Sequence, residues 1–232
     1  MELTKRQSKI LNCIVQEYVQ TKEPISSKLL AKKYKFGIKA PTMRLEFQKL
    51  TDAGFLMQPH TSAGRIPTDS GYRFYVDTLE PKNENRGLNP IEKDIQDSFK
   101  FFQEMTKKMA DLTSNLALSY FPDEDIFFKE GWDHLFKEPE FENTDIVSQF
   151  TKMVENMEKE IENFDDCDFP QIFIGKENPI LEGKEFSVII SKIHISNKKD
   201  GVVALMGPKR MDYGKNVKII NSLTKQNVRK RK

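Results

Sequence analysis

Residues 43 to 68 switch hydrophobic period within one short stretch, and that switch limits the possible folds more than any other feature of the chain. Met43, Phe47 and Leu50 fall at i, i+4 and i+7, one face of an α-helix that Gly54 ends. The runs Phe55-Leu56-Met57-Gln58 and Arg65-Ile66-Pro67-Thr68 then bracket the polar turn Pro59-His60-Thr61-Ser62-Ala63-Gly64, the pattern of two short strands around an exposed loop. A helix running straight into a hairpin is a compact unit that needs further helices to cover it.

The preceding residues supply them. Thr4 followed by Gln7 has the form of a capping box, and Ile10, Leu11, Ile14, Val15 and Tyr18 repeat at helical spacing to about Thr21. Ser26 or Ser27 can cap a second short helix through Tyr34, with Leu29 and Leu30 as its buried side. Gly37 permits a sharp turn, and Pro41 suits the first turn of the third helix. After the hairpin, Thr68 and Asp69 can cap a fourth helix carrying Tyr72, Tyr75, Val76 and Leu79 inward, with Pro81 at its end. Residues 1–80 therefore read as a winged helix-turn-helix domain, and the polar, turn-rich stretch 81–90 as a linker.

Charge is segregated along the chain. Lys and Arg number 13 against 8 Asp and Glu in residues 1–80, 10 against 22 in 81–170, and 14 against 5 in 171–232. A basic front end beside an acidic middle points to a polyanionic partner for the first domain, although solvated surface charge explains the blocks equally well alone. No apolar run approaches the ~20 residues of a bilayer span, so the expected location is the cytoplasm, with no membrane contact. Cys13 and Cys167 belong to no metal-ligand spacing, and His60, His134 and His194 are scattered. Neither a cofactor, a metal site nor an enzyme is expected; Asp165, Asp166 and Asp168 lack a calcium-loop pattern and read as a solvated loop.

If the third helix enters a major groove, the residues opposite its apolar stripe read the bases, each residue turning about 100° around the axis. Pro41, Leu45, Gln48 and Asp52 lie near that pole, flanked by Arg44 and Lys49. Arg44 suits a guanine or a phosphate, Gln48 an adenine, Leu45 a thymine methyl, and Thr42 with the helix amides a phosphate. In the hairpin, His60, Thr61, Ser62 and Arg65 surround small residues that allow close approach to a sugar-phosphate strand, and an arginine is favoured in a narrow minor groove. For the helix in isolation a solvated face is the better explanation; the hairpin and the basic charge favour DNA.

Beyond the linker, residues 91–120 show helical periodicity through Ile95, Phe99, Phe102, Met105, Met109 and Leu112, and residues 145–164 through Ile146, Phe150, Met153, Val154, Met157 and Ile161. From Gln171 the period turns to β: IFIG, FSVIISKIHI and VVALMG, then Gly207-Pro208-Lys209-Arg210 turning into a last helix from about Met211 that Asp212 can cap. Residues 227–232 form a basic tail.

Three N-terminal segments, LTKRQSKIL, EPISSKLLAKKY and above all QPHTSAGRIPTDSGYRFYVD (58–77), resemble the HrcA heat-inducible transcription repressors. Downstream, EGWDHLFKEPEF (130–141), GKENP (175–179) and MGPKRMDY (206–213) are similar to that family's carboxyl-terminal segments. The resemblance implies a homodimer that binds an inverted-repeat operator called CIRCE ahead of chaperone operons, represses them until stress, and depends on the GroE chaperonin. It also implies a fold class: α+β, a winged helix-turn-helix followed over 91–226 by a reduced GAF-like domain with a small antiparallel sheet and amphipathic helices.

Two departures qualify the match. The family's recognition helix usually opens with Ser-Pro and carries Arg-Asn, whereas this chain reads Lys39-Ala40-Pro41-Thr42-Met43-Arg44-Leu45. Members also hold an inserted dimerising segment, for which this chain has only the bridge 114–128. Most of the family's sheet is therefore expected to be missing, and the helices within 91–120 and 145–164 are expected to dimerise in place of the insert. A regulator of another regulon with another effector, or a winged helix that binds protein, are the competing readings.

Overall fold

In a computed structural model of the chain, residues 3–79, 98–122, 125–164, 170–180, 182–195 and 199–228 are described. The chain divides into two compact units, Met1–Glu80 and Pro81–Lys232. The linker expected over 81–90, the acidic stretch around Asp166 and the last four basic residues lie outside the described residues.

The first unit orders α1 (Lys5–Thr21), α2 (Ser27–Lys33), α3 (Ala40–Asp52), β1 (Leu56–Met57), β2 (Ile66–Pro67) and α4 (Asp69–Asp77). Each boundary has a local cause. The Thr4 side chain accepts from the Gln7 amide while Gln7 Oε1 accepts from the Thr4 amide at 3.0 Å, closing the capping box of α1. Ser26 caps α2 and Thr68 caps α4. Gly37, at φ +70°, makes the left-handed turn into α3. Ile10, Leu11, Ile14, Leu30, Met43, Leu50 and Tyr72 are buried in the core. Leu29, expected inside with Leu30, is 41% exposed. A seven-residue helix presents one narrow stripe, and Leu29 stands 100° away from it.

The second unit orders α5 (Ser98–Thr113), β3 (Leu116–Phe121), β4 (Ile126–Glu130), α6 (Trp132–Leu135), α7 (Thr144–Glu160), β5 (Gln171–Ile174), β6 (Phe186–Ile195), β7 (Lys199–Pro208) and α8 (Tyr213–Val228). The strands form one antiparallel sheet in the order β4-β3-β7-β6-β5. Side chains alternate across it. The row Leu118, Ala204, Ile190 packs with Phe150, Met153 and Met157 of α7, while the next row, Ser119, Val203, Ser191, faces the other way. On that other face Thr106 of α5 donates to the Ser119 hydroxyl at 2.6 Å, and Ser187 meets the Tyr213 hydroxyl of α8 at 2.7 Å. Helices thus cover both faces.

Two expectations are corrected here. The helix within 91–120 ends at Thr113, with Ser114 at φ +56°, and the bridge 114–128 holds β3 and most of β4. Among the described residues the sheet therefore has five strands, a small antiparallel sheet to which the bridge contributes. Second, most of the apolar residues of the helices expected to dimerise pack within their own unit: Phe102, Met105 and Met109 of α5 and Phe150, Met153 and Met157 of α7 are buried, while Phe99 is 46% exposed. Among the described residues no helix is long and apolar enough to cross a membrane.

Candidate nucleic-acid interface

The expected reading face of α3 is solvent-exposed because its opposite side is the core. Burial of Met43, Phe47 and Leu50 turns Thr42, Arg44, Leu45, Gln48 and Lys49 outward, and Leu45 is 64% exposed. The side chains of Arg44 and Lys49 make no hydrogen bond or ion pair among the described residues, so both cations face solvent unneutralised. Lys39 offers no side-chain cap, which leaves the first amides of α3 without that partner; Pro41 removes one of them.

The side chain of Arg65 ties the hairpin to α3. Arg65 Nε donates to Thr51 Oγ1 at 3.0 Å and Nη2 to Gln48 Oε1 at 3.4 Å, while Gln48 Nε2 donates to Asp52 Oδ1 at 2.7 Å. Arg65 and Gln48, expected as separate DNA contacts, are thus bonded to each other, and Arg65 is half-buried. Backbone bonds at 2.9 Å in both directions between Ile25 and Arg65 fix the base of the hairpin. Only glycine fits beside them, since a Cβ on Gly64 would stand 2.3 Å from the Ile25 carbonyl oxygen. In the loop, Gln58 Nε2 donates to the carbonyls of Thr61 at 2.9 Å and Ala63 at 3.0 Å, and His60 Nδ1 lies 3.2 Å from Ser62 Oγ. His60, Thr61 and Ser62 remain exposed at the tip.

A residue the sequence reading passed over is Glu46, buried on the flank of α3 away from Arg65, with Arg6 at 2.8 Å and Gln7 at 3.2 Å. Its place on the helix, one residue before Phe47 and four before Leu50, puts it at the edge of the apolar stripe, which was the available signal. A second such residue is Glu17, which joins α1 to Lys33 and Tyr34. Burial alone raises its carboxyl pKa, but the hydrogen bonds from Lys33 and Tyr34 outweigh burial and hold it below the ordinary carboxylate value. Burial, with Glu17 nearby, pushes the Cys13 thiol up, so it is a poor nucleophile. Among the described residues no cluster of histidine, cysteine or carboxylate side chains is arranged to hold a metal ion.

With an exposed cationic helix face braced to a hairpin, and a helix-covered sheet following in the chain, the molecule falls by its relatives into the class of transcription regulators. The chain belongs to the HrcA family, because the family model of the HrcA protein C terminal domain matches residues 69–217. Several proteins named heat-inducible transcription repressor HrcA match along nearly the whole chain and another along half of it. That of Thermodesulfovibrio yellowstonii is 25% identical over 340 residues, spanning 98% of this chain and 97% of that protein. That of Thermoanaerobacter sp. is 28% identical over 331 residues, spanning 97% and 96%. The Desulfitobacterium hafniense protein is 41% identical over 119 residues, 51% of this chain and 32% of that protein. An alignment of 340 residues against a chain of 232 leaves more than a hundred positions that this chain does not fill. A crystal structure of a hypothetical protein has the same fold, with a TM-score of 0.81, 19% identity and 98% of each chain covered.

Proposed function

We propose that the chain is a repressor of heat-inducible transcription, with the first unit a winged helix-turn-helix and the second a GAF-like effector domain. The observation that carries this reading is the α3 face, where Arg44, Leu45 and Lys49 stand exposed in a chain whose relatives are named heat-inducible transcription repressors. Arg44 and Leu45 read base edges in a major groove, Thr42 and Lys49 hold phosphates, and His60, Thr61 and Ser62 approach the backbone as the wing. Arg65 positions the wing on the helix, and Gln48 addresses a base only after releasing Asp52.

The operator is an inverted repeat of the CIRCE type bound by a homodimer, which places two such faces on one palindrome and makes the second contact intramolecular. With Phe102, Met105 and Met109 of α5 and Phe150, Met153 and Met157 of α7 buried, the dimer forms through surfaces of the second unit that these residues do not supply. The GroE chaperonin keeps the protein competent, the protein works in the cytoplasm, and it catalyses no reaction. Selection of bound genomic DNA by the purified chain tests the proposal. Enrichment of one inverted repeat, with affinity falling steeply as salt rises, is the expected result. Recovery of fragments sharing no sequence overturns it.

A further inference from the structure

We infer that the cavity beside the start of α1 binds a small phosphorylated molecule with a planar ring, of the mononucleotide class. It is a groove open to solvent of about 550 Å³, a volume in the roughly 300–1,000 Å³ range of small-molecule sites and larger than a lone phosphate needs. Lys5, Arg6, Lys9, Lys35, Tyr34 and Phe36 line it.

Its cations fall into two groups. Arg6 is neutralised by Glu46, and neighbouring Lys33 by Glu17, whereas Lys5, Lys9 and Lys35 make no ion pair or hydrogen bond among the described residues. Two of these charges, Lys5 and Lys9, work against α1, which carries them. The first turn of α1 has no acidic residue and begins Lys5-Arg6, at the end where the macrodipole is already positive, and Lys5 and Lys9 repel at i, i+4. A bound anion offsets both penalties.

The aromatic wall selects among anions. The rings of Tyr34 and Phe36 lie 6.0 Å apart at 41°, and the Tyr34 hydroxyl is fixed by donating to Glu17 at 2.6 Å. Duplex DNA keeps its bases stacked inside and offers such rings nothing, whereas a free nucleotide offers a ring and phosphates together.

The test is calorimetric titration of the full chain, without DNA, by adenosine diphosphate and separately by inorganic phosphate. Adenosine diphosphate saturates one site and binds at least about tenfold more tightly than phosphate. Lys9→Gln with Lys35→Gln weakens it by about tenfold or more, and Phe36→Ala brings it to the phosphate level. The unliganded Lys9→Gln, Lys35→Gln and Phe36→Ala proteins melt cooperatively, the first no lower than the unsubstituted chain, which shows that loss of binding is not unfolding. Absence of saturable binding, or indifference to these substitutions, overturns the inference. So does a Lys9→Gln, Lys35→Gln protein that loses only affinity for arbitrary duplex, which makes the cavity a backbone contact. Operator binding by the unsubstituted chain is measured separately, so either reading can fail alone.

Discussion

The guanidinium of Arg210 grips both carboxylate oxygens of Glu140, Nε to Oε1 and Nη2 to Oε2, each at 2.6 Å, and the same Nη2 reaches Glu138. The segments 130–141 and 206–213, which carry the carboxyl-terminal family resemblance, meet at this contact. Burial disfavours the charge on Arg210, but the bonds to Glu140 and Glu138 outweigh it and keep the guanidinium protonated. Arg210→Met therefore leaves two carboxylates facing each other. The expected loss is roughly 2–4 kcal/mol, below the ~3–5 for a wholly buried pair because Glu140 is a third exposed. Arg210→Lys restores only part, since an ammonium cannot bind bidentately. Urea unfolding measures both; a change under ~0.5 kcal/mol for Met shows the clamp to be idle.

Leu45 stands where the resemblance to the family's recognition helix leads one to expect asparagine. If α3 reads bases as proposed, an exposed leucine contributes a methyl contact and no hydrogen bond, which favours thymine where an amide favours adenine. Leu45→Asn is expected to change the preferred base at one position of each half-site by about 1–3 kcal/mol while leaving the salt dependence unchanged. Arg44→Ala costs affinity and relaxes preference at a neighbouring base. Fluorescence anisotropy on a panel of single-base operator variants separates the two, and an unchanged preference for Leu45→Asn removes that residue from the reading face.

The N-terminal unit was legible in the sequence because its signals are local. Caps at Thr4, Ser26 and Thr68, the turn at Gly37 and the stripe of Met43, Phe47 and Leu50 each lie within a few residues of what they organise. Strand β3 was hidden for the opposite reason. Leu116-Ala117-Leu118-Ser119-Tyr120-Phe121 is buried on both faces, so it lacks the alternation by which a half-buried strand is recognised. Nor does local pattern reveal pairs such as Arg6 with Glu46 or Arg65 with Gln48, which lie 40 and 17 residues apart. The exposed residues of α3 could be named from the helix wheel, but the bonding of Gln48 and Arg65 to each other required the hairpin's position.

The Glu17 carboxylate gives the first unit an acid-sensitive joint. Its pKa in the folded protein lies below the ordinary value of 4.5, so its contribution is complete above that value and is lost as pH falls through the lower, folded one. Glu17→Gln is expected to cost about 1–2 kcal/mol at neutral pH, allowing for the exposure of Lys33. Unfolding of the two proteins by urea should differ at pH 7 and converge on acidification. Curves that stay parallel into acid show that the carboxylate is not what joins α1 to α2.

Asn216 sits wholly buried in α8, and neither its Oδ1 nor its Nδ2 has a hydrogen-bond partner among the described residues. The helix packs on β6, so this amide lies in the layer between helix and sheet. An unpaired buried amide costs about 1–3 kcal/mol, whereas leucine has nearly its shape and no polar atoms to satisfy. Asn216→Leu should therefore stabilise the second unit and raise its melting temperature by roughly 3–10 °C. Asn216→Asp, which adds charge at the same place, should lower it. If calorimetry finds that leucine lowers the melting temperature instead, the amide is already satisfied within the folded core and the packing of α8 owes its stability to it.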